Sequence, residues 1–260
     1  MPFVNANAID LYYETHGAGP AVVLAHGRSG NHLSWWQQVP YFSRHCQVVT
    51  FDHRGFGQSL EGAHGPGRAM FVTDLQALLD DLRLERVSIV GQSMGGWTAL
   101  GFAVQYPDRV HRLVLADTTA GIVDPRIARA YATRGPPPDD FVERALSPNY
   151  RQEQPAGTFL YSRIAELNPP WSEPLSTLLL SSDGPTADAL AKLSVQTLFI
   201  VGEHDPVVSP QMAQVCAGLL PHARVEVFAG AGHSVYFEQP EQFNSLVFDF
   251  LSGTHREGPA

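Results

Sequence analysis

The sequence predicts an α/β protein built on a mostly parallel β-sheet with helices on both faces. Two observations predict this class. Short, continuous apolar runs, such as residues 21–25 and 198–201, are typical of strands buried on both faces of a parallel sheet. These runs alternate with amphipathic segments, and parallel strands need such helical crossovers to connect them.

The predicted elements follow one another in a regular order. Two strands open the chain, and in the second Leu11 and Tyr13 share one face, as in a half-buried strand. The helix at residues 69–82 carries its leucines on one face and its aspartates on the other. Strands are predicted at residues 3–7, 9–15, 21–25, 47–51, 87–90, 112–116, 197–201 and 224–228, and helices at 33–43, 69–82, 97–103, 211–219 and 241–251.

The alternation of strand and helix stops between residues 121 and 191. This stretch has ten of the twenty prolines and no strong strand pattern, but it contains short amphipathic segments at residues 127–132, 159–167 and 175–180. We therefore predict an α/β core formed by residues 1–120 and 192–260, and a helical cap, or lid, formed by residues 121–191.

Composition argues against several classes of function. Hydrophobic residues make up 44% of the 260 residues and charged residues 17%, as in a folded protein with a large core. The net charge of −9 and the lack of Lys/Arg runs argue against nucleic acid and anionic membranes as partners. We see neither a signal peptide nor an apolar run long enough to span a bilayer, so we expect a cytoplasmic protein. No feature predicts the oligomeric state.

The segment from Gly91 to Gly95 carries a serine between a predicted strand and a predicted helix. The pattern G-x-S-x-G can occur by chance, but this context is that of a nucleophile elbow, a sharp turn that raises the serine hydroxyl above the sheet. The flanking glycines suit the turn because they have no Cβ. Ser93 is therefore the predicted nucleophile.

A serine nucleophile needs a base, and the base needs an acid to orient it. His233 lies in the glycine-rich loop after the last strand, and Asp205 follows the strand before it. We predict that His233 accepts and returns the Ser93 proton while Asp205 fixes its tautomer. Asp117, at the end of another strand, is the rival acid, but the order Ser–Asp–His along the chain favours Asp205.

The oxyanion that forms during acyl transfer needs two preorganised N–H donors. Met94, next to the nucleophile, is predicted to supply one, and the backbone of Arg28, in the loop after the third strand, the other. The Arg28 side chain could bind a substrate carboxylate, but we favour a position facing solvent or paired with a surface acid. His26 is expected to support this loop by hydrogen bonds rather than to act in catalysis.

Together these motifs resemble those of the α/β-hydrolase family, in its serine esterase- and lactonase-like branch with a helical cap. The matching segments run in the family's order at residues 26–27, 52–59, 91–96, 202–205 and 232–233. The resemblance covers nearly the whole chain outside the predicted cap. One departure is His53, an extra residue in the family's Asp-Arg-Gly loop. The resemblance implies an eight-stranded sheet with an antiparallel second strand and a lid over the site.

With a serine nucleophile, the resemblance implies hydrolysis of a small or medium carboxylic ester through an acyl-enzyme. Relatives that open epoxides or remove halides carry aspartate where Ser93 stands, so those reactions are disfavoured. A lactonase, a carbon–carbon bond hydrolase and a perhydrolase use the same triad and stay open as alternatives. So does a ligand receptor of this fold with little turnover. The expected partner is a small-molecule ester or lactone, and we expect neither a metal nor another cofactor.

Residues of the predicted cap and of the loop tips are expected to set the specificity of the pocket. The aromatic members of this set could equally belong to the core. The candidate pocket residues are Trp36, Ile122, Phe159, Trp171, Val207 and Val235, with Met94 and Trp97 beside them.

Overall fold

The structure is a computed structural model that describes residues 2–61, 67–134, 136–170 and 184–254. Its strands form one sheet and lie within two residues of the predicted ones. They are β1 (Phe3–Ala6), β2 (Ile9–His16), β3 (Ala21–Ala25), β4 (Gln47–Phe51), β5 (Val87–Gln92), β6 (Val110–Ala116), β7 (Gln196–Gly202) and β8 (Ala223–Phe228).

The sheet has the order β1-β2-β4-β3-β5-β6-β7-β8. β2 pairs antiparallel with both β1 and β4, and the pairs from β4 through β8 are parallel. The expected eight-stranded, mostly parallel sheet with an antiparallel second strand is therefore confirmed. The parallel strands share one carboxyl edge, where α/β folds place their sites.

Helices cover the sheet, and one predicted helix differs from the structure. The segment 33–43 is divided into a 3-10 helix (His32–Trp35) and a short α-helix, because Pro40 has no N–H to continue a longer helix. The described α-helices are α1 (Val39–Phe42), α2 (Phe71–Asp81), α3 (Met94–Gln105), α4 (Pro125–Arg134), α5 (Phe141–Ala145), α6 (Pro148–Glu153), α7 (Pro155–Glu166), α8 (Ala187–Leu190), α9 (Pro210–Ala217), α10 (Val235–Glu238) and α11 (Pro240–Ser252).

Two apolar clusters pack on opposite faces of the sheet, because successive side chains of a strand point to opposite sides. In β3, Val23 belongs to the cluster that contains leucines of α2 and α3. Its neighbour Leu24 belongs to the cluster that contains Phe42 of α1 and Phe243 of α11. The helices on both faces are thus held by the alternation along each strand.

The chain between β6 and β7 contains α4 to α8 and no strand among its described residues. It packs on the loop after β3, where the Asn31 side-chain amide donates to the carbonyl of Ile164 in α7 at 2.9 Å. The predicted amphipathic segment 175–180 lies outside the described residues. Among the described helices, none has the length and apolar character needed to cross a membrane.

Candidate active site

Ser93 occupies a strained turn between β5 and α3. Its φ of 49° and ψ of −114° are unusual for a residue with a side chain. Two hydrogen bonds hold this backbone. The Ser93 N–H donates to the carbonyl of Ala116 at 2.9 Å, and the Thr118 hydroxyl donates to the Ser93 carbonyl at 2.7 Å. The turn is therefore fixed by the end of the neighbouring strand β6.

The glycines on either side of Ser93 are required by space. A Cβ on Gly91 would lie 2.5 Å from the carbonyl oxygen of Gly95, and a Cβ on Gly95 would lie 2.1 Å from that of Ala25. Both distances are shorter than a nonbonded contact permits. α3 can therefore start this close to β3 and β5 only with glycine at these two positions.

The structure brings the three predicted triad residues together. His233 Nε2 lies 2.9 Å from the Ser93 hydroxyl, and His233 Nδ1 lies 2.7 Å from Asp205 Oδ2. The other oxygen of Asp205 accepts the N–H groups of Val207 and Val208 at 2.6 and 2.9 Å. These amides hold one carboxylate oxygen in place, and the other oxygen, Oδ2, faces the imidazole. Asp205 and His233 are both buried, at 6% and 9% exposure.

Asp117, the rival acid, is fully buried at the end of β6 and bonds to the backbone instead. Its two oxygens accept the N–H groups of Gly202 and Val235, each at 3.1 Å. Burial, with the nearby charge of Asp205 second, raises the pKa of Asp117 well above its usual value. The geometry therefore makes Asp205 the partner of His233. Asp117 instead binds the backbone at the end of β7 and next to the loop of His233.

The loop after β3 lies beside Ser93, as expected for an oxyanion site. Arg28 lines the cavity at Ser93, and Met94 opens α3, where helix geometry leaves the first amides without an intrahelical acceptor. His26 lies beneath this loop. Its Nε2 accepts the His53 N–H at 3.0 Å and its Nδ1 donates to the Gly27 carbonyl at 2.8 Å. Burial lowers the pKa of His26 to about 4, which keeps the imidazole neutral, as an acceptor nitrogen requires.

The cavity at Ser93 is small, with a volume of about 50 Å³. Helices of the β6–β7 segment supply one side of it and the carboxyl edge of the sheet the other. Of the residues predicted to form the pocket, Val207 lines this cavity. The described residues that line it are Gly27, Arg28, Ser29, Gly30, Gln92, Ser93, Phe141, Arg144, Ala145, Tyr161, Val207, His233 and Tyr236.

Four other predicted pocket residues are not among the described residues that line this cavity. Ile122 and Val235 are buried in the two apolar clusters. Trp36 is 46% exposed and stacks edge-on with Phe237, and Phe159 is 64% exposed on the outer face of α7. Trp171 lies outside the described residues. Met94 packs with Phe56, Phe71 and Trp97 in a separate apolar cluster.

Phe141, Arg144 and Tyr161 also line the cavity but were not predicted, because no motif marks them. Phe141 and Arg144 come from α5, and Tyr161 from α7. Tyr161 lies two positions after Phe159, which places the two side chains on opposite sides of the helix. Amphipathic periodicity could have suggested Tyr161, but only if the inner face of α7 were known.

Comparisons with known proteins agree with this architecture. A family model described as the alpha/beta hydrolase fold matches residues 20–240. One relative is a 2-hydroxy-6-oxo-2,4-heptadienoate hydrolase from Pseudomonas putida, 32% identical over 96% of this chain and 95% of that protein. Another is 3-oxoadipate enol-lactonase 2 from Acinetobacter baylyi, 29% identical over 94% of each chain.

A solved structure gives the same result at the level of the fold. A thermophilic esterase from Thermogutta terrifontis is 27% identical and superposes with a TM-score of 0.79 over 98% of each chain. The family match covers most of the sequence, and the relatives match nearly end to end. The chain is therefore a hydrolase that belongs to the α/β-hydrolase family.

Proposed function

We propose that this hydrolase cleaves small carboxylic esters through an acyl-enzyme on Ser93. The observation that carries the proposal is the unbroken path of contacts from the Ser93 hydroxyl through both nitrogens of His233 to Asp205, at 2.9 and 2.7 Å. A hydroxyl gains nucleophilicity when a base accepts its proton, and an acid behind the base stabilises the resulting imidazolium.

Each step follows from the position of these groups. Ser93 Oγ attacks the ester carbonyl while His233 Nε2 accepts the hydroxyl proton. The amides of Arg28 and Met94 stabilise the oxyanion of the tetrahedral intermediate. His233 then donates the proton to the leaving alkoxide, which departs as an alcohol and leaves the acyl group on Ser93. A water, deprotonated by His233, hydrolyses this acyl-enzyme and restores the serine.

The size of the cavity supports a short acyl group. A volume of about 50 Å³ is far below the ~300 Å³ at which drug-sized pockets begin. Phe141 and Tyr161, from the segment that we propose as the cap (residues 121–191), close one side of this space. A long acyl chain would have to displace these rings, whereas an acetyl or propionyl group would not.

A steady-state panel of p-nitrophenyl esters tests the proposed function. We expect acetate and propionate to be hydrolysed with the highest kcat/KM, and octanoate at least about tenfold more slowly, because its chain meets Phe141 and Tyr161. Phe141→Ala should shift the optimum toward longer chains. Phe159→Ala is the matched control, since Phe159 faces solvent. Failure of the wild-type protein to hydrolyse any ester of the panel would contradict the proposal.

A second candidate is cleavage of a carboxylate-bearing lactone or carbon–carbon bond by the same triad. The observation that favours it is the presence of arginine residues at the cavity of a chain whose net charge is −9. Arg28 and Arg144 line the cavity, and no carboxylate is among its described lining residues. Arg144 Nη1 donates to the carbonyls of Pro138 and Asp139, and Arg144 forms no ion pair within the described parts of the chain.

The names of the two relatives above support this candidate, since heptadienoate and oxoadipate are carboxylate anions. A guanidinium that already lines the cavity is a geometric match for a carboxylate. The candidate and the simple esterase share the chemistry at Ser93 and differ in what Arg144 binds.

A matched pair of esters separates the two candidates. If Arg144 binds a carboxylate, p-nitrophenyl hemisuccinate should have a higher kcat/KM than the uncharged valerate. Arg144→Met should then lower the ratio of the two values by about tenfold or more, mainly through KM. Arg129→Met, on the exposed side of α4, is the control. If the ratio does not change in Arg144→Met, Arg144 does not bind a substrate carboxylate and the second candidate fails.

A further inference from the structure

The loop that carries His233 consists of residues 232–235, and each of these four residues is held by a side chain from outside the loop. Gln92 Nε2 donates to the His233 carbonyl at 2.8 Å, and Asp117 accepts the Val235 N–H at 3.1 Å. The hydroxyls of Tyr161 and Ser234 lie 2.8 Å apart. The remaining residue, Gly232, donates its N–H to Glu238 Oε1 at 2.9 Å.

Glu238 differs from the other supports because one of its oxygens binds two separate parts of the chain. The same oxygen, Oε1, also accepts the N–H of Ser147 at 3.2 Å. Ser147 lies between α5 and α6, and its side chain caps α6 by accepting the Tyr150 N–H. One carboxylate oxygen thus holds the loop of the histidine against the end of α5, a helix that lines the cavity.

The close approach at this point depends on Gly232. A Cβ there would lie 2.7 Å from the Ser147 nitrogen and 2.9 Å from Glu238 Oε1. Burial raises the pKa of Glu238, while its contacts with Ser147 and Gly232 act in the opposite direction. Hydrogen bonds to a carboxylate are among the stronger ones in proteins, so this junction can fix a backbone position.

We propose that Glu238 is a positioning residue, which holds His233 in register with Ser93 by binding Gly232 and Ser147 through one oxygen. The role rests on the proposed function, in which His233 is the base. Without this contact Gly232 loses its link to α5 and α6, and the imidazole is less often within reach of the Ser93 proton. Proton transfer depends steeply on that geometry, so kcat rather than KM should respond.

The test compares Glu238→Ala with Glu238→Gln, using p-nitrophenyl acetate. We expect Glu238→Ala to lower kcat about 10- to 100-fold with KM within about twofold. Glu238→Gln should keep most of kcat, because its amide oxygen can accept both N–H groups. Glu241→Ala, an exposed carboxylate in the first turn of α11, is the matched control. Gly232→Ala should reproduce the loss with Glu238 in place, and it carries the test if Glu238→Ala does not fold.

A second readout, hydrogen exchange of the peptide that contains residues 232–235, does not need activity. Exchange should be faster in Glu238→Ala than in the wild type and unchanged in Glu241→Ala. Full kcat in both Glu238→Ala and Gly232→Ala, or equal losses in the Gln and Ala variants of Glu238, would overturn the proposal. Ser93→Ala is assayed beside them. If it stays active, the proposed function fails; if it is inactive while Glu238→Ala is fully active, only the role of Glu238 fails.

Discussion

Ser93→Ala should lower kcat for p-nitrophenyl acetate by about 10⁵- to 10⁶-fold, equivalent to about 7–8 kcal/mol of transition-state stabilisation. The change removes the only atom that can form the acyl-enzyme in this account, while His233 and the oxyanion amides stay in place. Residual activity should reflect those amides alone. The free energy of unfolding should change little or rise, because alanine removes a half-buried hydroxyl and leaves the turn intact.

Ser252→Ala is the matched control for this prediction. Ser252 is exposed at the end of α11 and its hydroxyl bonds to the Phe248 carbonyl, far from the cavity in sequence. It should retain wild-type kcat. Activity in Ser93→Ala within tenfold of the wild type would mean that another group performs the attack.

Asp205→Asn should lower kcat by about 10⁴-fold. The asparagine oxygen can still accept the N–H groups of Val207 and Val208, which turns its NH₂ group toward His233. An NH₂ group there favours the imidazole tautomer with the proton on Nε2, and that tautomer cannot accept the proton of Ser93. The steady-state assay on p-nitrophenyl acetate measures this loss.

Asp117→Asn is the informative comparison. Asp117 directly follows β6, and Asp205 follows the neighbouring strand β7. Both of its oxygens accept backbone N–H groups, so an asparagine would leave one N–H facing an NH₂ group. We expect the free energy of unfolding to fall by about 1–3 kcal/mol. We expect kcat to fall by less than about tenfold. Asp249→Asn, on the exposed face of α11, controls for the change of charge. Loss of turnover in Asp117→Asn with normal turnover in Asp205→Asn would reverse the assignment of the acid.

The sheet could be predicted from the sequence because buried parallel strands leave a local signal. Residues 21–25 are a continuous apolar run and residues 47–51 contain two valines and a phenylalanine, and the structure gives strands with the same bounds. The turn at Ser93 was also visible, since two glycines are required where α3 approaches β3 and β5. In both cases the structural requirement, either burial or close approach, falls on residues near one another in the chain. A short stretch of sequence is therefore enough to predict it.

The pocket could not be predicted in this way, because its lining depends on how distant helices are rotated. Phe159 and Tyr161 are both plausible pocket aromatics, and only the packing of α7 on the loop after β3 places Tyr161 at the cavity. The same holds for Val235, which looks like a loop residue but begins a four-residue helix and packs in the core. Glu238 gives no motif signal either, because its partner Ser147 is 91 residues away.

The most direct test of the central claim is covalent trapping of the nucleophile by a fluorophosphonate, followed by peptide mapping with mass spectrometry. A phosphonate mimics the tetrahedral intermediate and reacts with a serine that has an activated hydroxyl. We predict a single phosphonyl group per chain, on the peptide that contains Ser93, and slow labelling in Asp205→Asn. Labelling of a different residue, or none in a protein that hydrolyses esters, would contradict the claim that Ser93 is the nucleophile.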